Sequence, residues 1–166
     1  METYDYLDFL YKKFKTHFVI ETKTSIIDRE IDLFAKCNLV LGRTLISKQD
    51  IIDRYESNEY IIVKTYPVAS KNDIVEFLEF TSKLPSALVI PHKEHRNSYI
   101  NAVMVCDTID DSSTNEYFKS FKFNKIYKLY FHGFCEIRVI LVNLKNSSVV
   151  TNKAGKLLKK VYLPTP

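Results

Sequence analysis

Two of the four histidines and one carboxylate fall within four positions, at His92, Glu94 and His95, with Arg96 directly after. Two histidines three apart can share one ion if the segment forms a helical turn, and a carboxylate between them adds an oxygen ligand or a base. Metal-assisted hydrolysis is the chemistry such a cluster could perform. Lys93 and Arg96 make the neighbourhood less hospitable to a cation. Local hydrogen bonding at the end of a strand is the simpler reading. Cys106 and Asp107 look like further ligands, but an extended strand from Ser98 climbs about 26 Å at roughly 3.3 Å per residue and carries them to the far end of a sheet. The expectation is a polar cluster of His92, Glu94, His95 and Arg96 that holds no metal and no cofactor.

A second set lies on one alternating segment, 30–41. Ile31, Leu33, Ala35, Cys37, Leu39 and Leu41 fall on one side, with Glu30, Asp32, Phe34, Lys36 and Asn38 on the other. Glu30, Asp32 and Lys36, with Lys64 on a later strand, could hold a metal and a phosphate; a solvated strand face is the simpler reading. The third set is a charge imbalance. No acidic residue follows Glu136, whereas Arg138, Lys145, Lys153, Lys156, Lys159 and Lys160 do. Lys153, Lys156, Lys159 and Lys160 could dock an anionic partner, or simply guard an edge hairpin against strand pairing.

Composition removes several functions. A chain of 166 residues with 46% hydrophobic and 27% charged residues is globular and long enough to bury a core. No apolar run approaches a membrane span, and the first residues lack the basic head and apolar centre of a signal peptide. A cytoplasmic location is expected. Cys37, Cys106 and Cys135 are an odd set inside apolar runs, which suits buried reduced thiols. The three glycines, Gly42, Gly133 and Gly155, fall between strand-like segments, where turns would use them. None opens a phosphate-binding loop, a dinucleotide fingerprint or a nucleophile elbow. The net charge of +4 comes mostly from lysine, which argues against bidentate base reading in DNA.

The elements that must position these residues follow from periodicity. Leu7, Leu10, Tyr11, Phe14 and Phe18 form a helical stripe with Thr3 as N-cap. Strands are expected at 17–22, 30–41 and 44–46, then a helix from the Ser47/Asp50 pair through Tyr55, and a strand at 59–66. Ser70 and Asp73 cap a helix that Pro85 should end or kink. The run 100–105 is apolar enough to be a central strand buried on both faces. Ser113-Thr114-Asn115-Glu116 has the capping-box form. A hairpin of 125–131 and 134–144 turns at His132-Gly133, and strands at 149–151 and 157–163 close the chain. The whole reads as one α+β domain spanning 1–166, a mixed, mostly antiparallel sheet with helices packed mainly on one face.

Two resemblances follow from these residues. The order of elements, with Asp32 in a long second strand and Lys64 in a later one, resembles the core of restriction-endonuclease-like nucleases. That family pairs an aspartate with an acid-x-lysine strand. Here Ile62 stands where the second acid belongs, so the resemblance implies a degraded member without metal-dependent cleavage. Along the whole chain, Pro91-His92-x-Glu94-His95-x-x-x-Tyr99-Ile100, Gly133-Phe134-Cys135-Glu136-Ile137-Arg138 and Thr151-Asn152-Lys153-x-Gly155-Lys156 resemble small uncharacterised proteins of anaerobic Gram-positive bacteria. This implies a bacterial cytoplasmic origin and no particular mechanism. The functional expectation is a non-catalytic binding or regulatory module whose basic C-terminal edge meets a macromolecular or anionic partner; nucleic acid stays open as that partner. The alternative is a metal-dependent hydrolase at His92–His95 or Asp32.

Overall fold

The computed structural model describes residues 1–44, 51–110 and 115–164. In chain order these form α1 (Thr3–Phe14), β1 (Val19–Ile26), β2 (Arg29–Thr44), β3 (Ile51–Ala69), α2 (Lys71–Leu88), β4 (His95–Ile109), α3 (Asn115–Ser120), β5 (Asn124–Ile126), β6 (Phe134–Asn143) and β7 (Ser148–Thr151). The seven strands make one mixed sheet in the order β1-β2-β3-β4-β6-β5, with β7 also on β6. The pairs β3–β4 and β4–β6 are parallel and the other four are antiparallel. This is the α+β architecture the sequence suggests. Two of the three described helices, α2 and α3, share a face.

The sheet has two cores because it is covered on both sides. Ile74, Phe77 and Leu84 of α2 and Phe118 of α3 pack on Ile62, Ile100, Ala102, Met104, Ile137 and Val139. On the other face Tyr6, Leu10 and Phe14 of α1, joined by Tyr162, pack on Leu33, Ala35, Ile61, Val63, Val103 and Val105. Residues 100–106 of β4 are buried without interruption. That two-sided burial explains why its sequence shows no alternation. α1 is tied to distant segments: the Tyr6 hydroxyl donates to the Tyr162 carbonyl at 2.6 Å and Thr3 Oγ1 donates to Asp107 Oδ1, also at 2.6 Å.

Ser70 and Asp73 cap α2 reciprocally, each side chain meeting the other's backbone N–H. Pro85 sits in the last turn and α2 continues to Leu88; so close to the end the ring costs one internal hydrogen bond and no break.

Several expected elements are different in the structure. Residues 51–55, expected to be helical, belong to β3 and pair with β2 from Thr44 to Leu41. Of the strand expected at 44–46, Thr44 belongs to β2, while 45–46 and the capping pair Ser47/Asp50 lie outside the described residues, as do Ser113 and Thr114. Thr3 is the first helical residue rather than the cap, and its hydroxyl is spent on Asp107. Strand β5 ends at Ile126, followed by a left-handed turn in which Lys128, Leu129 and Tyr130 all have positive φ, and where a strand is expected at 157–163 the chain instead makes a 3₁₀ turn at Lys156–Leu158. Gly42 lies within β2, not in a turn. Gly133 alone needs its glycine for backbone reasons. Its φ is +71°, and a Cβ would lie 2.3 Å from the Arg96 carbonyl oxygen.

The alternation of β2 also breaks at Asp32. Leu33 packs with α1, but Ile31 packs with the α2 cluster. The expected single row from Ile31 to Leu41 is therefore split.

Candidate functional site

The His92–His95 stretch is pulled apart by the start of β4. His95 is its first residue and is 3% exposed. Its Nδ1 lies 2.7 Å from the His132 carbonyl oxygen, which can only accept, so Nδ1 carries the proton. Its Nε2 lies 2.8 Å from Ser98 Oγ and receives the hydroxyl proton in the neutral ring. Serine, imidazole and orienting acceptor are the parts of a nucleophile and its base. Ser98 has no exposed surface, however, so no substrate reaches its oxygen. The arrangement is a latch. It ties the start of β4 to the turn before β6, beside the close approach of Gly133 to Arg96.

His92 faces a different partner. The Glu94 backbone N–H donates to its Nδ1 at 3.3 Å, which leaves Nε2 to donate to Glu56 Oε2 at 3.2 Å. Glu56 Oε1 accepts from Asn58 Nδ2 at 2.6 Å, and Asn58 Oδ1 accepts from Asn38 Nδ2 at 2.7 Å. The Asn58 hydrogen bond, aided by His92, holds the Glu56 carboxyl below the usual carboxylate range against the opposing effect of burial. Glu94 and Arg96 are exposed, and the Arg96 guanidinium sits 4.8 Å from the Tyr55 ring centre. Apart from the backbone bond of Glu94 to His92, the expected site residues do not converge: the His92 and His95 rings lie 6.1 Å apart, and each is engaged elsewhere. The spacing gave no hint of Glu56, which lies 36 positions before His92.

Of the Asp32 set, only Asp32 and Lys64 are brought together. Asp32 Oδ2 accepts from the Thr65 N–H at 2.7 Å and its hydroxyl at 3.0 Å, and lies 3.7 Å from Lys64 Nζ. The carboxylate thus closes the β2–β3 seam where the alternation of β2 breaks. Lys36 pairs with Glu21 at 4.0 Å, and Glu30 is exposed. Ile62, in the place of a second acid, is fully buried. Among the described residues, no three His, Cys, Asp or Glu side chains converge as a metal centre requires. Burial pushes the Cys106 and Cys135 thiols up to about 12, the setting of inert cysteines.

The C-terminal lysines have the opposite character. Lys153, Lys156, Lys159 and Lys160 are all exposed, and among the described residues none pairs with a carboxylate. The segment carrying them is irregular yet firmly held. Asn152 is 2% exposed; its Oδ1 accepts from the Val139 and Gly155 N–H groups, and its Nδ2 donates to the Ile137 and Phe121 carbonyls. One amide side chain thereby fills the gap along β6 between β5 and β7. Tyr162 anchors the far end in the α1 core at 1% exposure. Lys13 of α1 donates to the Val161 carbonyl at 2.7 Å, which brings the basic last turn of α1 beside the lysine segment.

Arg138 does not join that surface. It lies 3.5 Å from Glu136, 3.9 Å from Glu59 and 3.8 Å from the Tyr99 ring centre, so its charge is already met. Asn101 Nδ2 donates to the same Glu59 at 2.7 Å. Sequence reasoning could not see this network, because its members come from three strands brought together by parallel register. Glu136 and Arg138 line one side of a groove of about 670 Å³, and Lys122 and Lys153 also line it.

Among the described residues, no helix is long and apolar enough to cross a membrane. No curated protein and no solved structure matches the chain. A family model does match, from residue 2 to residue 164, and its description is a domain of unknown function, DUF8052. With nearly its whole length covered, the chain belongs to that DUF8052 family.

Proposed function

We propose that this protein is a non-catalytic binding module that docks an anionic polymer on its C-terminal lysine segment. The observation that carries the reading is the contrast within residues 152–162. Four exposed lysines without carboxylate partners among the described residues are mounted on a segment pinned by Asn152 and Tyr162. A held array of like charges costs self-repulsion, and an incoming polyanion relieves it. Lysine supplies point charges rather than planar forks, so the reading implies contact with phosphate or carboxylate groups and little sequence preference. The free cysteines, of which Cys106 and Cys135 are buried and Cys37 half-buried, and the resemblance of the whole chain to small Gram-positive proteins support a bacterial cytoplasmic setting.

A nuclease-like core is the second reading, favoured by the 3.7 Å approach of Asp32 to Lys64 and by helices on both faces of the sheet. Asp32 is committed to Thr65, and Ile62 offers no ligand, so this reading carries fold ancestry rather than cleavage.

The test is fluorescence anisotropy of a labelled oligonucleotide titrated with the protein over a salt series. Binding should weaken steeply with salt. Replacing Lys153, Lys156, Lys159 and Lys160 together by glutamine should abolish it and leave the circular dichroism unchanged. Equal binding by this variant would remove the proposed surface. Nicking of the oligonucleotide with magnesium or manganese, lost in Asp32→Ala, would put the enzyme reading first.

A further inference from the structure

The hairpin of β2 and β3 outruns its neighbours. β1 pairs with β2 only as far as Val19 opposite Lys36, whereas β2 stays paired with β3 as far as Thr44. From Cys37 onward, no described strand lies on the outer side of β2. Its outward backbone N–H and C=O groups form an open edge, whose natural occupant is another extended strand.

Exposed edges are usually guarded by lysine, proline, a bulge or a covering element. The stretch Cys37-Asn38-Leu39-Val40-Leu41-Gly42 has no charge and no proline, and its pairing register is regular. It presents apolar side chains on both faces: Leu39 is 54% exposed, Val40 46% and Leu41 47%. The mature core has no need of them.

We infer that this edge pairs with the same edge of a second copy, antiparallel about Val40, to give a twofold dimer with one continuous sheet. The stretch is self-complementary in that register. Leu39 of one copy stands opposite Leu41 of the other, Val40 stands opposite itself, and Asn38 meets Gly42, which leaves the amide room. The next pair sets Cys37 opposite Arg43, so the charge in this register falls only at its two ends. A twofold contact of this kind also closes, so assembly stops at two. The lysine segment follows β7 on the opposite edge of the sheet. The dimer therefore leaves both copies of it free.

Light scattering and sedimentation of the full chain across a concentration series test this. The expected result is a dimer that dissociates on dilution, and a Leu39→Lys/Leu41→Lys variant that is monomeric with unchanged circular dichroism and unfolding temperature. A second variant guards against misfolding of the first. Val40→Cys in a Cys37→Ser background should give a covalent dimer on mild oxidation, because the axis sets position 40 against itself. A monomer at every concentration, open-ended larger assemblies, a dimer indifferent to the lysines, or failure of the Val40→Cys variant to cross-link would each overturn the inference.

Discussion

At one side of the sheet, β6 is closed along its length by β5, the Asn152 side chain and β7, with exposed lysines just beyond. At the other side, β2 runs on past β1 with its backbone open and two leucines and a valine turned outward. Edge strands are a hazard that folded chains usually answer with charge, cover or shortening. Here the answers are concentrated on one edge and missing from residues 37–42 of the other. The difference separates the surface proposed to meet a charged partner from the one proposed to meet a strand.

The largest effect should come from breaking the closed edge. Asn152→Ala leaves the Val139 and Gly155 N–H groups and the Ile137 and Phe121 carbonyls without their side-chain partner, and should cost about 3–5 kcal/mol. Urea unfolding measures it; a loss under about 1.5 kcal/mol would mean that other groups do the sealing. Asn152→Asp should be nearly as damaging, because a carboxylate cannot donate to those two carbonyls.

A smaller effect belongs to the root of the open hairpin. Glu56→Gln should cost about 1 kcal/mol near neutral pH by weakening the bonds to Asn58 and His92. The folded-state pKa of Glu56 is depressed, so its stabilisation is present above the ordinary carboxylate range. It is lost as the pH falls through the lowered value. Wild-type and variant stabilities should therefore converge in acid. A gap that persists at low pH would show that the carboxylate charge is not what stabilises the hairpin root.

The smallest change in stability is expected from neutralising Lys153, Lys156, Lys159 and Lys160 with glutamine, within about 0.5 kcal/mol. Salt-dependent binding should disappear in the same protein. A marked loss of stability would instead make the lysines part of the closure of the edge.

What was legible in the sequence was whatever depends on near neighbours. The Leu10 and Phe14 seats of α1, the Ser70/Asp73 cap and the doubly buried run of β4 all follow from local spacing, although Tyr6 rather than the exposed Tyr11 completes the α1 stripe. The start of β3 did not, because Ser47, Asp50, Ile51, Ile52 and Tyr55 mimic a capped helical turn while cross-strand pairing with Leu41–Thr44 decides otherwise. Leu157 to Leu163 resemble a strand by apolar content, but Asn152 and the Tyr162 anchor fold them back. The histidine cluster was misleading for the same reason. Proximity in sequence set His92 and His95 together, while Glu56, Ser98 and the His132 carbonyl, supplied by the fold, took their ring nitrogens.

The bond from Tyr6 to the carbonyl of Tyr162 joins positions 156 apart. The apolar stripe of Tyr6, Leu10 and Phe14 shares its cluster with Tyr162, so the seat of α1 is complete only once a very long loop has closed. Contacts of such sequence separation form slowly, which makes the docking of α1 a late step of folding.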